Sequence, residues 1–149
     1  MENSRRTKNN AMKFKYLENV AIADIAFEAY GKTLNKVFEN SAYAFFDITC
    51  NPKTIKQKIK KIINLNNKDD EDLLYNFLTE LVFLKDSEQL IFSEVKVIIK
   101  EGKLKATLYG DKINAEKQEL RNDVKAVTMH LFDLKKINNK YKATIVVDI

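Results

Sequence analysis

The sequence predicts a single α+β domain in which two helices pack on a β-sheet, with elements in the order β-β-α-β-α-β-β-β-β. Three observations carry this. Apolar residues recur at three- and four-residue steps over two long stretches, one after Gly31 and one after Lys68, so two amphipathic helices are expected. The remaining apolar stretches are short and largely alternating, and they come in runs instead of one between every pair of helices, which favours segregated helices over a parallel α/β arrangement. At 149 residues and 45% hydrophobic composition, the chain suits one core that buries about two-thirds of its unfolded surface. Three glycines and one proline leave few places for special backbone geometry, so connections should be short.

The elements follow in order. FKYLEN (14–19) and ADIAFEAY (23–30) read as strands. In the second, Ile25 and Phe27 point to one side while Asp24 and Glu28 point to the other, and Gly31 breaks the strand. From Thr33, a candidate N-cap, Leu34, Val37, Phe38, Ala42, Phe45 and Phe46 trace one apolar helix face, and Pro52 bars its continuation. In TIKQKIKKII, Ile55, Ile59, Ile62 and Ile63 fit a helix, yet Ile55, Ile59 and Ile63 also share one side of a strand; the β-branched content tips the segment towards strand. The second helix starts at KDDEDLL, where Asp69, Asp70, Glu71 and Asp72 complement the positive end of the helix dipole. Its buried face is expected at Leu73, Leu74, Phe77, Leu78, Leu81 and Leu84. IFSEVKVIIK and KLKATLYG form a hairpin turned by Glu101 and Gly102. DVKAVTMHLFDLKK is expected as one strand, joined to YKATIVVDI by a second hairpin with Asn138 and Asn139 at the turn.

Composition removes several classes of function. Cys50 is the one cysteine, which excludes an intrachain disulfide and a cysteine-cluster metal site and suits a reducing, cytoplasmic compartment. It is expected to serve as a small packing residue. The longest apolar runs fall far short of the roughly 20 residues needed to span a bilayer, so no membrane partner is expected. The start, MENSRRTKNNA, has no apolar core and does not read as a secretory signal; residues 1–11 are expected to be a disordered extension, with the domain at 12–149. A single histidine, His130, cannot build a histidine-based zinc site, and no nucleophile elbow surrounds Ser41, Ser87 or Ser93. Gly31, Gly102 and Gly110 form neither a P-loop nor a dinucleotide fingerprint. Lysine and arginine exceed the acids by 26 to 21, a net charge of +5, which admits an anionic partner without specifying one.

Carboxylate and lysine remain as the carriers of chemistry. Alternation places Asp148 on the face of Lys142, Thr144 and Val146, and Asp24 on the face of Glu28. The plain reading of both aspartates is solvation. The sharper one is that Asp24, Asp148 and the Ile149 carboxylate offer oxygen ligands to a hard divalent cation; a terminal carboxylate ordinarily titrates near ~3.5. Lys125 would share a strand face with Val127 and Met129, where an unpaired ammonium is costly and a carboxylate partner is favoured. His130, on the face of Val124, Ala126, Thr128 and Phe132, reads as a satisfied, partly buried imidazole. Lys56, Lys58 and Lys60 would line one strand face and guard an edge, with phosphate contact as the alternative.

Four segments together resemble the archease family: ADIAFEAYGKTLNKVFENSAYAFFDI, DLLYNFLTELVFL, VKAVTMH and the terminal VVDI. They stand in family order between about Met12 and Ile149. The resemblance implies a compact α+β fold and an accessory role: promoting guanylylation and multiple turnover of an RtcB-type RNA ligase, the enzyme that joins tRNA exons. RNA contact would be indirect or weak. It also implies a divalent metal site (Ca²⁺, Mg²⁺ or Mn²⁺) held by Asp24, Asp148 and the Ile149 carboxylate, with Lys125 and Thr128 nearby. The chain departs from the family's usual EHTAD, with Ala21 and Ile22 where histidine and threonine are common; this implies loss of a hydrogen bond behind the site and weaker metal binding. Two extra residues between Leu17 and Asp24 imply a bend there. A direct RNA-binding module with a basic strand face and a carboxylate-metal hydrolase are the competing readings.

Overall fold

The computed structural model of the chain describes residues 12–18 and 22–149. The elements run β1 (Phe14–Leu17), β2 (Asp24–Gly31), α1 (Leu34–Thr49), β3 (Ile59–Asn66), α2 (Asp70–Glu88), β4 (Leu90–Lys100), β5 (Lys103–Lys112), β6 (Ala126–Val127), β7 (Asp133–Ile137) and β8 (Lys140–Asp148), with a 3-10 turn at Pro52–Thr54. The predicted α+β order holds. The expected bend between Leu17 and Asp24 falls partly, and the expected extension 1–11 wholly, outside the described residues.

The strands divide between two sheets where one was expected. One has the order β1-β2-β8-β6, with β7 also on β8; the other has the order β3-β5-β4. The reason lies in α1, which packs on both β2 and β4 and so occupies the place where the sheets would otherwise join. Its apolar residues Val37, Phe38, Ala42, Phe45 and Phe46 are buried, as the spacing predicts, but polar residues on another side are also engaged. The Val97 N–H donates to Glu39 Oε2 at 2.8 Å and the Ile99 N–H to Asn35 Oδ1 at 2.9 Å. One turn further on, the Tyr43 hydroxyl reaches the Val95 carbonyl at 3.3 Å. Side chains at i, i+4 and i+8 of the helix thus serve alternate residues of β4, and α1 stands in for the strand that β4's open edge lacks.

Local signals account for the helix ends. Thr33 Oγ1 accepts from the Lys36 N–H at 3.1 Å, and Asp69 Oδ1 accepts from the Glu71 and Asp72 N–H groups, both N-caps. After the last turn of α1, the 113–125 connection folds back, and the Arg121 and Asn122 N–H groups donate to the carbonyls of Thr49 and Ile48. These contacts satisfy carbonyls that a helix end leaves open. All six α2 positions expected to be buried are buried, and Phe77 lies against Phe38 with ring centroids 6.0 Å apart. Both hairpin turns form as expected: Glu101 and Gly102, and Asn138 and Asn139, all have positive φ, the signature of a two-residue turn that matches strand twist.

Five expectations need correction. Gly31 is the last residue of β2 and not a break after it; a Cβ there would fall 2.3 Å from the Val37 nitrogen, so glycine serves the close approach of strand and helix. β3 begins only at Ile59, so Lys56 and Lys58 precede the strand and Lys60 alone of the three belongs to its exposed face; the 3-10 turn at Pro52 takes up the chain before it. The segment 123–136 is two strands, because the chain leaves β8 after Thr128, loops outward and returns at Asp133 opposite Thr144. Leu131 has φ 60°, and this turn exposes Met129, His130 and Leu131. Hence His130 is an exposed turn residue and not a half-buried strand imidazole, and Lys125 and Met129 are exposed, because neither lies within a continuous strand. Cys50 is buried, beside Ile55 and Ile91, as expected; burial pushes its thiol up to about 11.

Because Phe77 is fully buried between α1 and α2, Phe77→Ala is expected to cost about 3–5 kcal/mol, read as a lowered urea midpoint. An unchanged midpoint would refute the packing described.

Candidate functional site

In the five-stranded sheet β2 and β8 pair antiparallel, and Asp24 stands directly opposite Asp148. The Ile149 N–H donates to the Ala23 carbonyl at 2.8 Å. A bond between the residues that flank the two aspartates makes Asp24 and Asp148 a non-hydrogen-bonded pair, the arrangement in which facing side chains come closest. Two strand ends remote in sequence therefore place two carboxylates side by side on one sheet face, with Ile149 next along the chain.

Register extends this face row by row. Ala126 of β6 lies beyond Asp148 in the first row. The second row runs Ala26, Val146, Thr128, since Ala26 pairs with Val146 and the Thr128 N–H donates to the Val146 carbonyl at 2.9 Å. Thr128 Oγ1 is buried with no hydrogen-bond partner among the described residues, an uncommon state for a hydroxyl inside a protein. Lys125 reaches the site through its backbone: its N–H donates to the Asp148 carbonyl at 2.7 Å, while its side chain is exposed. The structure thus brings Asp24, Asp148, Ile149, Lys125 and Thr128 into one neighbourhood. Ala21 lies outside the described residues, and Ile22 is fully exposed beside the pair.

The donors fit a hard cation in kind. Like charges directly opposite on a sheet repel, and a cation between them converts that cost into attraction. They are few, however. Among the described residues no group of three or more His, Cys, Asp or Glu side chains is placed to hold a metal ion, so two side-chain carboxylates would need the main-chain carboxylate, a hydroxyl or water to complete a shell.

Further along the same face lies a network that alternation alone did not single out. Glu28 accepts from the Tyr30 hydroxyl at 2.6 Å and lies 3.5 Å from Lys15 Nζ and 3.7 Å from Lys142 Nζ. The Tyr30 bond, aided by Lys142 and Lys15, holds the Glu28 carboxyl below its ordinary range against the opposing effect of burial. Burial, with the bond to Glu28, pushes the Tyr30 hydroxyl up. Its sequence signal was the period-two recurrence of Asp24, Glu28 and Tyr30 opposite Lys142, which needed the β2–β8 register to become a contact.

Comparison with known proteins agrees with this architecture. A profile of the Archease protein family matches residues 14–149. The chain belongs to the archease family. It is 40% identical over 132 residues to protein archease of Pyrococcus furiosus, covering 85% of this chain and 93% of that one. Against protein archease of Thermococcus kodakarensis it is 37% identical over 142 residues, covering 92% and 99%. The solution structure of Methanobacterium thermoautotrophicum protein 1598 superimposes with a TM-score of 0.76 at 31% identity, over 92% of this chain and 99% of that one. The crystal structure of an archease from Thermotoga maritima, described as a possible chaperone, shares the fold with a TM-score of 0.64 at 18% identity, over 89% and 97%.

The Glu28 network yields a pH dependence with a definite sign. A carboxyl whose folded value is depressed stabilises the fold above its unfolded value, ordinarily 4.5, and that contribution is lost as pH falls through the lower folded value. Glu28→Gln is therefore expected to cost about 1–2 kcal/mol at pH 7, with the gap from wild type closing as the pH is lowered below 4.5 in denaturant titrations. A pH-independent gap would show that the charge of Glu28 is immaterial.

Proposed function

We propose that this archease is a metal-dependent accessory protein that activates an RtcB-type RNA ligase, raising its guanylylation and its turnover. Family membership supports the reading, and one observation in this chain carries it: the register that sets Asp24 opposite Asp148 with Ile149 adjoining. In this reading Asp24, Asp148 and the Ile149 carboxylate hold Ca²⁺, Mg²⁺ or Mn²⁺. The ion would supply positive charge that fixes the two strand ends together and presents a charged, oxygen-rich tip to the ligase. Lys125 ties the neighbouring strand to the Asp148 carbonyl, and the Thr128 hydroxyl gains the partner it otherwise lacks, through the ion's water shell. The exposed Ile22, Met129 and Leu131 flank this end of the sheet and give a partner protein apolar surface to cover.

Two outcomes test the reading. In calorimetry with each ion, wild type is expected to bind at least one and Asp148→Ala to lose at least tenfold in affinity; equal binding by both proteins would remove the metal assignment. A short Gly-Ser tail after Ile149 leaves every side chain in place but converts that carboxylate into a neutral amide. With unchanged circular dichroism, the tailed protein should bind metal more weakly and should no longer raise turnover of the cognate ligase at substoichiometric amounts. The protein alone should neither join nor cleave RNA; ligation or cleavage that survives in Asp24→Ala would favour a hydrolytic or ligating activity instead.

A further inference from the structure

At the opposite end of β2 and β8 from the carboxylates, a groove of about 1050 Å³ opens between the two sheets over the first turns of α1. Tyr30 is six residues along β2 from Asp24, and Lys142 is six along β8 from Asp148, which is roughly 20 Å at about 3.4 Å per residue. The groove is thus separate from the site above. Six lysines line it: Lys13, Lys32, Lys36, Lys96, Lys140 and Lys142. Against them stand Glu39 and Glu94, and both are engaged internally. Glu39 accepts from the Val97 N–H and pairs with Lys36 at 3.2 Å; Glu94 accepts from the Tyr43 hydroxyl at 2.6 Å. Lys32, Lys96 and Lys140 make no ion pair among the described residues. On a chain whose net charge is +5, this one groove gathers a surplus close to that of the whole molecule.

Four tyrosines line the same groove: Tyr30, Tyr43, Tyr109 and Tyr141. All four are half-buried, which holds the rings in place while leaving part of each accessible. Their rings already meet cations, with Lys13 Nζ 4.7 Å from the Tyr43 centroid and Lys136 Nζ 5.6 Å from that of Tyr141. Lysines interleaved with partly exposed aromatic rings are what a single strand requires, phosphate neutralisation along the backbone and flat surfaces for the bases. A duplex hides its base faces and uses only the first. The volume stands at the upper end of the roughly 300–1,000 Å³ of ordinary small-ligand pockets, and the groove is open to solvent, so a chain can run through it. The chain's own start makes a poor occupant: Arg5, Arg6 and Lys8 against Glu2 add to the positive charge that any occupant must neutralise.

We propose that this lysine–tyrosine groove binds a short single-stranded polynucleotide. The assignment uses neither Asp24 nor Asp148, so its failure and that of the metal reading are separable. The test is fluorescence anisotropy of a labelled 12-nucleotide oligouridylate with the full-length protein. Reversing together three groove lysines that make no ion pair among the described residues (Lys32→Glu, Lys96→Glu, Lys140→Glu) is expected to weaken binding at least tenfold at 0.1 M salt. The log–log salt slope should flatten by about two, given roughly 0.7 per neutralised phosphate. Reversing three exposed lysines elsewhere, Lys56, Lys58 and Lys117, makes the same change in net charge and is expected to cost less than threefold. Tyr109→Leu should weaken binding by about tenfold through lost stacking, and Asp24→Ala should leave it unchanged. Thermal melts confirm that each variant is folded, and single Lys→Gln changes replace the triple reversal if it is not. An oligodeoxythymidylate of the same length assigns the groove to RNA or DNA by whichever binds tighter, and either keeps the proposal. No binding by wild type at 100 μM, equal loss in the two triple variants, or a duplex held as tightly as the single strand would overturn it.

Discussion

The architecture depends on how α1 covers the open edge of β4. A three-stranded sheet ends in unpaired N–H and C=O groups on both sides, and such an edge, once buried, costs free energy for each group left without a partner. Asn35, Glu39 and Tyr43 supply those partners at one-turn spacing. The same helix presents Phe38, Phe45 and Phe46 to the core, so one element is at once an apolar wedge and a polar substitute for a strand. Its insertion divides eight strands into two sheets, and the division opens the groove at its N-terminal end.

With α1 fixed, the five-stranded sheet has one face committed to the core through Phe27, Ala29, Ala143, Ile145 and Val147. The other face carries polar groups arranged by strand register. At one end two carboxylates oppose each other without a cation beside them in sequence. In the middle Glu28 is surrounded by Lys15, Lys142 and the Tyr30 hydroxyl and is held ionised. Among the described residues, charges on this face are thus paired in the middle, while Asp24 and Asp148 make no ion pair at the tip. Compensation of that kind ties β1, β2 and β8 together in the middle of the sheet.

The β6–β7 excursion contributes to the same asymmetry. Had residues 123–136 formed one strand along β8, His130 and Met129 would have paired into the sheet. The chain loops out instead, and Phe132 returns to pack edge-on against Tyr75 with centroids 5.4 Å apart, anchoring the loop while its apolar crest stays exposed. Tyr75 also donates to the Val127 carbonyl at 3.1 Å, so α2 holds both ends of the excursion.

The sequence by itself determined the elements whose information is local. Three- and four-residue apolar steps, the cap at Thr33, the acidic start of α2 and the turn pairs Glu101-Gly102 and Asn138-Asn139 are each settled within about a dozen residues, and each was legible. Asp24 and Asp148 were legible as candidates because alternation sets them on polar faces. Only the tertiary structure decided that they meet, since that rests on pairing between strands more than a hundred residues apart, and periodicity carries no information about partners. It also decided that the strands form two sheets, because Asn35, Glu39 and Tyr43 read as an ordinary polar helix face until an unpaired strand edge lies beside them. The break after Thr128 was hidden for a related reason: no glycine or proline marks it, and the positive φ falls on Leu131, a residue type that does not announce a turn. The lysine–tyrosine groove is assembled from six separate stretches of chain, so no local pattern could have announced it.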